Sequence, residues 1–409
     1  MKGFLALLFY GLCGSAALVS LLIMASPALS FRDVGTLFAG AFFVEGATPE
    51  ELQQSYRDAL KGKDKIRVLI VPGHDSIISG AEFRGVREAD MTVAVGEELT
   101  KMLSADPIFE PLLVRSRAGY APGFEDYFAR EREQTRTFIA EKKQTMRELV
   151  RAGSVHLEDG VIHNTASTEV AIRLYTFNTW ANKHGVDMVL HLHFNDYPGR
   201  PHTRPGRYDG FSIYVPDSQF SNARVSRALA SALLEQFSKL YVKSNLPIEE
   251  EGVVEDQDLI AVGAYNTLDP AGLLIEYGYM YEPKFLDAKI RDRMMKELAF
   301  QTYQGINRFF GKYGELFQKY PTTLLPHTWR EPLASGVTNH GSVLALQTAL
   351  LLEGLYPPSG YTKRDCPITG SFGPCTAASV KLFQEKYKLP VSGVVDTLTL
   401  QILNEMYSR

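Results

Sequence analysis

Two histidines and two glutamates lie where apolar stretches of this sequence end or where a helix is predicted to begin. His74 and His193 each close an apolar run of strand type, and Glu276 lies near the end of a third run. Glu88 opens a predicted helix shortly after Gly85. Functional groups of a largely parallel sheet collect at the carboxyl ends of its strands, so these side chains can converge at one edge.

Histidine and glutamate side chains in this arrangement are suited to hydrolysis assisted by zinc. A catalytic zinc ion takes three protein ligands and leaves a fourth position for water, whose pKa falls to about 7. His74, Glu88 and His193 fit the three ligand positions. Glu276 fits a general base that later donates the proton. The alternative interpretation is that both histidines are ordinary hydrogen-bonded residues at strand ends.

Two further polar residues belong to the same predicted strand end. His191 and His193 face the same side of the strand because they are two residues apart. His193 is nearer the end and is the predicted ligand, whereas His191 lies deeper, as a partner of a ligand or as a packed core residue. Asn195 either orients substrate or forms the turn after the strand.

The segments that position these residues alternate between strand and helix patterns. Strands are predicted at 66–71, 111–115, 188–193, 210–215 and 272–277, and helices at 88–103, 124–151, 167–184, 222–242 and 297–313. This alternation predicts an α/β domain with a mostly parallel sheet flanked by helices, over residues 66–313. Residues 314–340 contain three prolines and are interpreted as a linker. Residues 341–409 are predicted to form a small all-α domain.

The N-terminus has the pattern of an export segment. Lys2 precedes an apolar run from Phe4 to Met24, and small residues follow at Ala28 and Ser30. The run is about 20 residues long, enough to span a bilayer, so residues 1–30 are predicted to be either a cleaved signal peptide or a retained membrane anchor. On both interpretations the rest of the chain is exported, and residues 31–65 form a stalk and a helix.

Composition restricts the remaining classes of function. The chain has 409 residues, which corresponds to about two to three domains. Its 43 Lys+Arg and 47 Asp+Glu give a net charge of -4. The chain therefore lacks the excess of basic residues that would indicate a nucleic-acid partner. Three cysteines are too few for a disulfide scaffold.

Taken together, four motifs resemble a known enzyme family over about residues 66–312. The order is VPGH at His74, GVRE at Glu88, HLHFND at His193 and LLIEYGYMYEP at Glu276. This order resembles the zinc-dependent N-acetylmuramoyl-L-alanine amidases (amidase type 3). The resemblance implies hydrolysis of the amide between N-acetylmuramic acid and L-alanine in peptidoglycan, with zinc as cofactor.

The sequence departs from that family at three places. Asp75 stands where the family usually has glycine, and it could hold His74 or cap the turn. His191 stands where the family often has a small polar residue. The gap between Glu88 and His193 is long because of an insert at about residues 118–165. The resemblance suggests a lid over the zinc site that an activator protein would move; the alternative is a solvated surface helix.

The C-terminal unit resembles peptidoglycan-binding domain type 1. The matching residues include the GSFGP turn that ends at Pro374, followed by Thr376, and the helix from Val380 to Gln384. Cys366 and Cys375 flank this turn. In an oxidising compartment they could form a disulfide, and otherwise they are two reduced thiols.

Three other functions remain open at this stage. A zinc peptidase or carboxypeptidase acting on stem peptides would also use a wall-binding module, although the sequence lacks a histidine pair of the HExxH kind. A catalytically inactive wall-binding regulator and a purely structural envelope protein are the others. The amidase is the leading prediction because all four of its chemical roles are filled.

Overall fold

The computed structural model describes residues 46–75, 77–158, 166–197, 199–312 and 320–408. The predicted signal or anchor at 1–30 and most of the predicted stalk lie outside the described residues. In chain order the elements are α1 (Pro49–Ala59), β1 (Ile66–Pro72), β2 (Glu82–Phe83), β3 (Val86–Arg87), α2 (Glu88–Ala105), β4 (Phe109–Leu113), β5 (Arg115–Ser116), β6 (Gly119–Tyr120), α3 (Phe124–Arg130), α4 (Arg132–Arg151), α5 (Thr168–Lys183), β7 (Met188–Asn195), β8 (Ser212–Pro216), α6 (Ala223–Phe237), β9 (Val253–Asp256), β10 (Ala271–Tyr279), α7 (Ala288–Phe309), α8 (Gly341–Leu352), α9 (Pro374–Lys386) and α10 (Thr397–Tyr407).

A six-stranded sheet with the order β4-β1-β7-β10-β8-β9 forms the centre of the larger domain. Strands β4, β1, β7 and β10 run parallel, and β8 runs antiparallel to β10. The connection from β7 to β8 contains no helix among its described residues, and β8 runs back in the opposite direction. The predicted mostly parallel α/β architecture is confirmed.

Helices cover both faces of this sheet. Its central strands are buried on both sides, and for this reason their sequences are nearly continuous runs of apolar residues. On one face, Ile66, Val68 and Ile70 of β1 belong to the core that α2, α6 and α7 complete. On the other face, Leu69 and Val71 pack in a second core with α5. The alternation of β1 between two cores fixes which side of each strand carries the polar residues near its end.

Several element boundaries differ from the prediction. The closing helix begins at Ala288, nine positions before the predicted start at 297, because Asp287 caps it by accepting the N–H groups of Lys289 and Ile290. The charged stretch at 124–151 is two helices, α3 and α4. Strand β9 was not predicted, since it is a short edge strand without a long apolar run.

The C-terminal domain is helical, as predicted, and it contains a short internal repeat, in which SVLALQ at residues 342–347 recurs as SVKLFQ at residues 379–384. Gln347 of α8 accepts the N–H groups of Thr369 and Gly370, both at 3.0 Å. Gln384 of α9 does the same for Ser392 and Gly393, both at 2.9 Å. Both glutamines are buried. The repeated segment therefore places one buried amide against each of two glycine turns.

Cys366 and Cys375 are joined by a disulfide, with their Cα atoms 5.9 Å apart. The bridge closes the loop that leads into α9. No helix within the described residues is both long enough and apolar enough to cross a membrane.

The segment interpreted as a linker is packed over much of its length. Residues 313–319 lie outside the described residues, but Tyr320, Leu325 and Trp329 are buried in the core. The Trp329 indole N–H donates to the carbonyl of Ser342 at 2.8 Å. The Asn404 side chain bonds both the N–H and the carbonyl of Trp329, each at 2.8 Å. Residues 320–333 thus pack on the C-terminal domain, and Thr323 also donates through its N–H and hydroxyl to Glu297 of α7, so the segment contacts both domains.

Replacing Trp329 by alanine tests this packing. Loss of a buried indole and its hydrogen bond is expected to lower the free energy of unfolding by about 3–5 kcal/mol. Urea denaturation of the purified protein would measure the change. The exposed Leu398→Ala is the control, expected to shift stability by less than about 0.5 kcal/mol. A Trp329→Ala effect no larger than the control would show that the segment is a loose linker.

Candidate metal and catalytic centre

The four side chains singled out in the sequence meet at the carboxyl edge of the sheet. His74 follows β1 in a left-handed conformation with a φ of 62°. Such a backbone costs about 1–3 kcal/mol for a residue with a side chain and is found where surrounding structure over-determines it. Here the turn brings the His74 ring toward Glu88, the first residue of α2. His193 reaches the same carboxylate from β7.

The carboxylate of Glu88 bridges the two imidazoles. His74 Nε2 lies 3.1 Å from Glu88 Oε2, and His193 Nδ1 lies 3.0 Å from Glu88 Oε1. The three side chains offer ligand atoms within 4.8 Å of one another, and no other such group occurs among the residues that the structure describes. The set of two imidazoles and one carboxylate is one that zinc accepts in catalytic sites. These residues therefore fit a divalent metal ion.

Glu88 is also held by the backbone around it. Its oxygens accept the N–H of Ala81 at 2.9 Å and the N–H of Phe194 at 3.1 Å. Burial alone would raise the pKa of Glu88, but the hydrogen bonds from His193 and His74 outweigh it and hold the pKa well below its usual range. Glu88 is thus an anion in a buried position.

Two glycines permit this close assembly. A Cβ atom on Gly73 would lie 2.3 Å from the His193 ring. A Cβ atom on Gly80, whose φ is +72°, would lie 2.5 Å from both Glu88 Oε2 and the His74 ring. Neither position has room for a side chain, so the loop from β1 to β2 can approach the donors only as glycine.

Glu276 lies on β10 directly beside His193 in the parallel register. Its Oε2 atom is buried and has no hydrogen-bond partner among the described residues. Burial raises the pKa of Glu276 above its usual value, and the neighbouring carboxylates of Glu88 and Glu249 add to the shift. A carboxyl group in these surroundings binds a proton readily, and Glu276 lies beside His193 in the sheet without belonging to the group of three donors.

His191 lies one step deeper in β7, beside Val71 of β1 and Leu274 of β10. It is completely buried, and neither ring nitrogen has a hydrogen-bond partner within the described residues. Burial lowers the pKa of His191 to about 3, so the ring is neutral. The structure places it as a packed residue beneath His193, outside the cluster of donor atoms.

Asp75 caps the turn after His74. One of its oxygens accepts the N–H groups of Ile77 and Ile78, both at 2.8 Å. The other accepts from the Tyr120 hydroxyl and from Arg173 Nη1, both at 3.2 Å. Of the two roles considered for Asp75, these contacts favour the turn cap. They also connect the loop that carries His74 to β6, at the start of the insert, and to α5.

Glu249 was not anticipated from the sequence, although it organises this edge of the sheet. It is fully buried, and it accepts hydrogen bonds from Asn195 Nδ2 at 2.9 Å, Tyr214 at 2.6 Å and Tyr279 at 3.2 Å. Strands β7, β8 and β10 are thereby joined at one carboxylate. The sequence around it, PIEEEG, resembles a solvated acidic turn, so only the tertiary structure distinguishes this residue.

Asn195 is engaged at both ends of its amide. Its nitrogen donates to Glu249, and its oxygen accepts the N–H of Asp196 at 2.8 Å. These bonds fix the turn that follows the His193 strand.

Comparison with known proteins agrees with the motifs. Residues 68–308, more than half of the chain, match the family model described as N-acetylmuramoyl-L-alanine amidase. Residues 339–403 match the model described as a putative peptidoglycan binding domain. Among curated proteins, none matches this chain.

Three solved structures illustrate the likeness. The amidase Ami1 of Mycobacterium smegmatis is 15% identical, with 61% of this chain and 100% of that chain covered and a TM-score of 0.38. The CwlD amidase of Clostridioides difficile, solved in complex with the GerS lipoprotein, is 14% identical, with 61% and 100% covered and a TM-score of 0.38. The catalytic domain of CwlV from Bacillus (Paenibacillus) polymyxa var. colistinus is 16% identical, with 61% and 99% covered and a TM-score of 0.36.

Replacing Glu249 by alanine tests its role at the sheet edge. The change removes an acceptor shared by Asn195, Tyr214 and Tyr279, and we expect the free energy of unfolding to fall by about 3 kcal/mol. Chemical denaturation would measure it. Glu251→Ala, at a side chain that is 93% exposed, is the matched control and is expected to stay within about 0.5 kcal/mol. Equal effects of the two changes would exclude the proposed role.

Proposed function

Because the chain belongs to the N-acetylmuramoyl-L-alanine amidase family, we infer that His74, Glu88 and His193 hold its metal ion and that Glu276 moves the protons. The chain is an N-acetylmuramoyl-L-alanine amidase with a C-terminal peptidoglycan-binding domain. The families imply an extracellular or cell-envelope location. This assignment of roles is based on one observation. Three side chains able to bind a metal lie at the same edge of the sheet as Glu276, which has a buried carboxyl oxygen without a hydrogen-bond partner among the described residues.

We propose zinc as the metal, on the basis of two imidazoles and one carboxylate as donors. When bound, zinc supplies a Lewis acid and makes water acidic enough to attack at neutral pH. The backbone N–H groups of Ala81 and Phe194 hold Glu88 in place as a donor. The ring of His191 is completely buried two residues before His193 on the same strand.

Glu276 would accept a proton from the attacking water and deliver it to the nitrogen of the leaving peptide. The water oxygen forms a bond to the carbonyl carbon of the lactyl group, and the bond from that carbon to the nitrogen of L-alanine breaks. The products are a carboxylate on the sugar and a peptide with a free amine. The raised pKa of Glu276 supports this role, because a carboxylate with a higher pKa is a better acceptor for the proton of water and can later pass it on.

The C-terminal domain would hold the enzyme on its polymeric substrate. A binding module on the same chain raises the local concentration of substrate at the catalytic domain without adding a catalytic group. Contact between the two domains supports a fixed relation between them. Lys363 of the C-terminal domain donates to the carbonyls of Ser238 and Lys239 after α6, at 2.6 and 2.7 Å.

The insert is proposed to regulate the metal site, and the N-terminal segment is proposed to attach the protein to a membrane if it is retained. The described part of the insert packs on α5 through Phe124 and Phe128, and Tyr120 bonds Asp75 beside His74. That bond supports an influence of the insert on the metal site, by which an activator protein could act. Attachment to a membrane would depend on residues 1–30, which lie outside the described residues.

The assignment is tested by digestion of purified peptidoglycan with the zinc-loaded protein. Mass spectrometry is expected to detect stem peptides that begin with L-alanine and lack the sugar. Glu276→Gln is expected to retain zinc but to lower release by about 10²- to 10⁴-fold, because the proton acceptor is lost.

Glu251→Gln is the matched control and should retain full activity, because that side chain is exposed. Shortened peptides that remain attached to sugar would contradict the amidase assignment and identify a peptidase. Full release by Glu276→Gln would contradict the role of Glu276.

A further inference from the structure

Several arginines lie on two segments that adjoin, along the chain, the elements carrying Glu88 and His193, and they have no part in the mechanism above. One arginine-bearing segment is the β2–β3 hairpin, which ends at Arg87, one residue before Glu88. The other is a loop at residues 199–208, here called the arginine loop, which follows the β7 strand that carries His193. The exposed members are Arg84, Arg87, Arg204 and Arg207. Because the whole chain has a net charge of -4, this concentration of cations is local.

A buried arginine fastens the arginine loop to the hairpin. The Arg200 side chain is 3% exposed, and its Nη2 donates to the carbonyl of Glu82 at 2.8 Å. Its guanidinium lies between the rings of Phe83 and Tyr281, at 4.9 and 5.1 Å from their centroids. Arg200 also pairs with Asp196. The charge of Arg200 is therefore used within the protein, and the loop has a defined position beside the site.

Two further contacts, each to a backbone carbonyl, join the hairpin to the arginine loop. The N–H of Arg84 donates to the carbonyl of His202 at 3.2 Å. The His202 ring lies 3.1 Å, through Nδ1, from the carbonyl of Glu82. The hairpin and the loop thus form one surface, with the Arg84 side chain on the hairpin and those of Arg204 and Arg207 on the loop.

Arg207 is oriented by two aromatic rings. Its guanidinium lies over Tyr208 at 4.8 Å and over Tyr197 at 5.5 Å, and its Nη2 donates to the Tyr208 hydroxyl at 2.7 Å. Stacking of this kind restricts a long side chain before any ligand arrives. Within the described residues, Arg84, Arg204 and Arg207 have no carboxylate partner, whereas Arg87 is paired with Asp90 at 2.9 Å.

A guanidinium with unpaired N–H groups binds carboxylate in a two-point fork. The proposed substrate contains such a carboxylate. Its stem peptide is joined to the sugar through its amine and carries free carboxyl groups farther along the peptide. The segments concerned are also continuous with Glu88 and with the β7 strand of His193. We propose that Arg207, assisted by Arg84 and Arg204, forms a subsite for a carboxylate of the stem peptide.

This subsite rests on the proposed function, and the test separates the two. The substrates are two N-acetylmuramoyl tripeptides of the same sequence, one with free peptide carboxyl groups and one with these groups amidated. For the free acid, Arg207→Gln is expected to lower kcat/KM by about tenfold, mainly through KM. For the amidated substrate, the expected change is less than about twofold. Arg207→Lys keeps the charge but not the two-point fork of N–H donors. Its kcat/KM for the free-acid substrate should lie between those of the wild type and Arg207→Gln.

Arg224→Gln is the matched control, because Arg224 is exposed on α6 and pairs with Glu50. This control should leave kcat/KM unchanged for both substrates. Equal losses on both substrates with Arg207→Gln, or no loss on either, would overturn the subsite while leaving the amidase assignment in place. If the wild type hydrolyses neither substrate, the proposed function fails and the subsite with it.

Discussion

The geometry of the site depends on one buried carboxylate, that of Glu88, bonded at both oxygens. An ionised carboxylate that is 3% exposed is stable only when its desolvation is offset by donors and charge. Two imidazoles and two backbone N–H groups provide the donors. Its position as the first residue of α2 adds the favourable end of the helix dipole. Since those donors come from the loop after β1 and from β7, satisfying Glu88 also aligns the two strands that supply the histidines.

The next carboxylates along the same edge are in different surroundings. Glu249 accepts three hydrogen bonds from β7, β8 and β10, so it acts as a structural tie. Glu276 lies near both Glu88 and Glu249 and has a buried oxygen without a partner. Three carboxylates close together are therefore differentiated by their donors: one is suited to bind metal, one holds strands together, and one is left able to exchange a proton. This separation of roles by environment is the physical basis of the proposed chemistry.

The sequence predicted the mostly parallel sheet and the helical C-terminal domain, because long apolar runs and helical periodicity are local signals. It also singled out the donor residues, since the two histidines stand at the ends of apolar runs and Glu88 opens a predicted helix. It did not predict Glu249, β9 or the packing of Trp329, because each depends on contacts between distant segments. The role of Asp75 was left between two alternatives for the same reason, and its partners Tyr120 and Arg173 lie 45 and 98 residues away. Local sequence identifies the reactive groups, whereas tertiary structure identifies the residues that hold them.

The most direct test of this account is the location of the metal in crystals of the zinc-loaded protein, by anomalous diffraction at the zinc edge. The account predicts one strong peak within about 2.0–2.2 Å of side-chain atoms of His74, Glu88 and His193. Neither Glu276 nor His191 should be a ligand. A peak coordinated by Glu276 or His191, or no peak between the three predicted donors, would contradict the central claim that these three side chains hold the metal while Glu276 moves the proton.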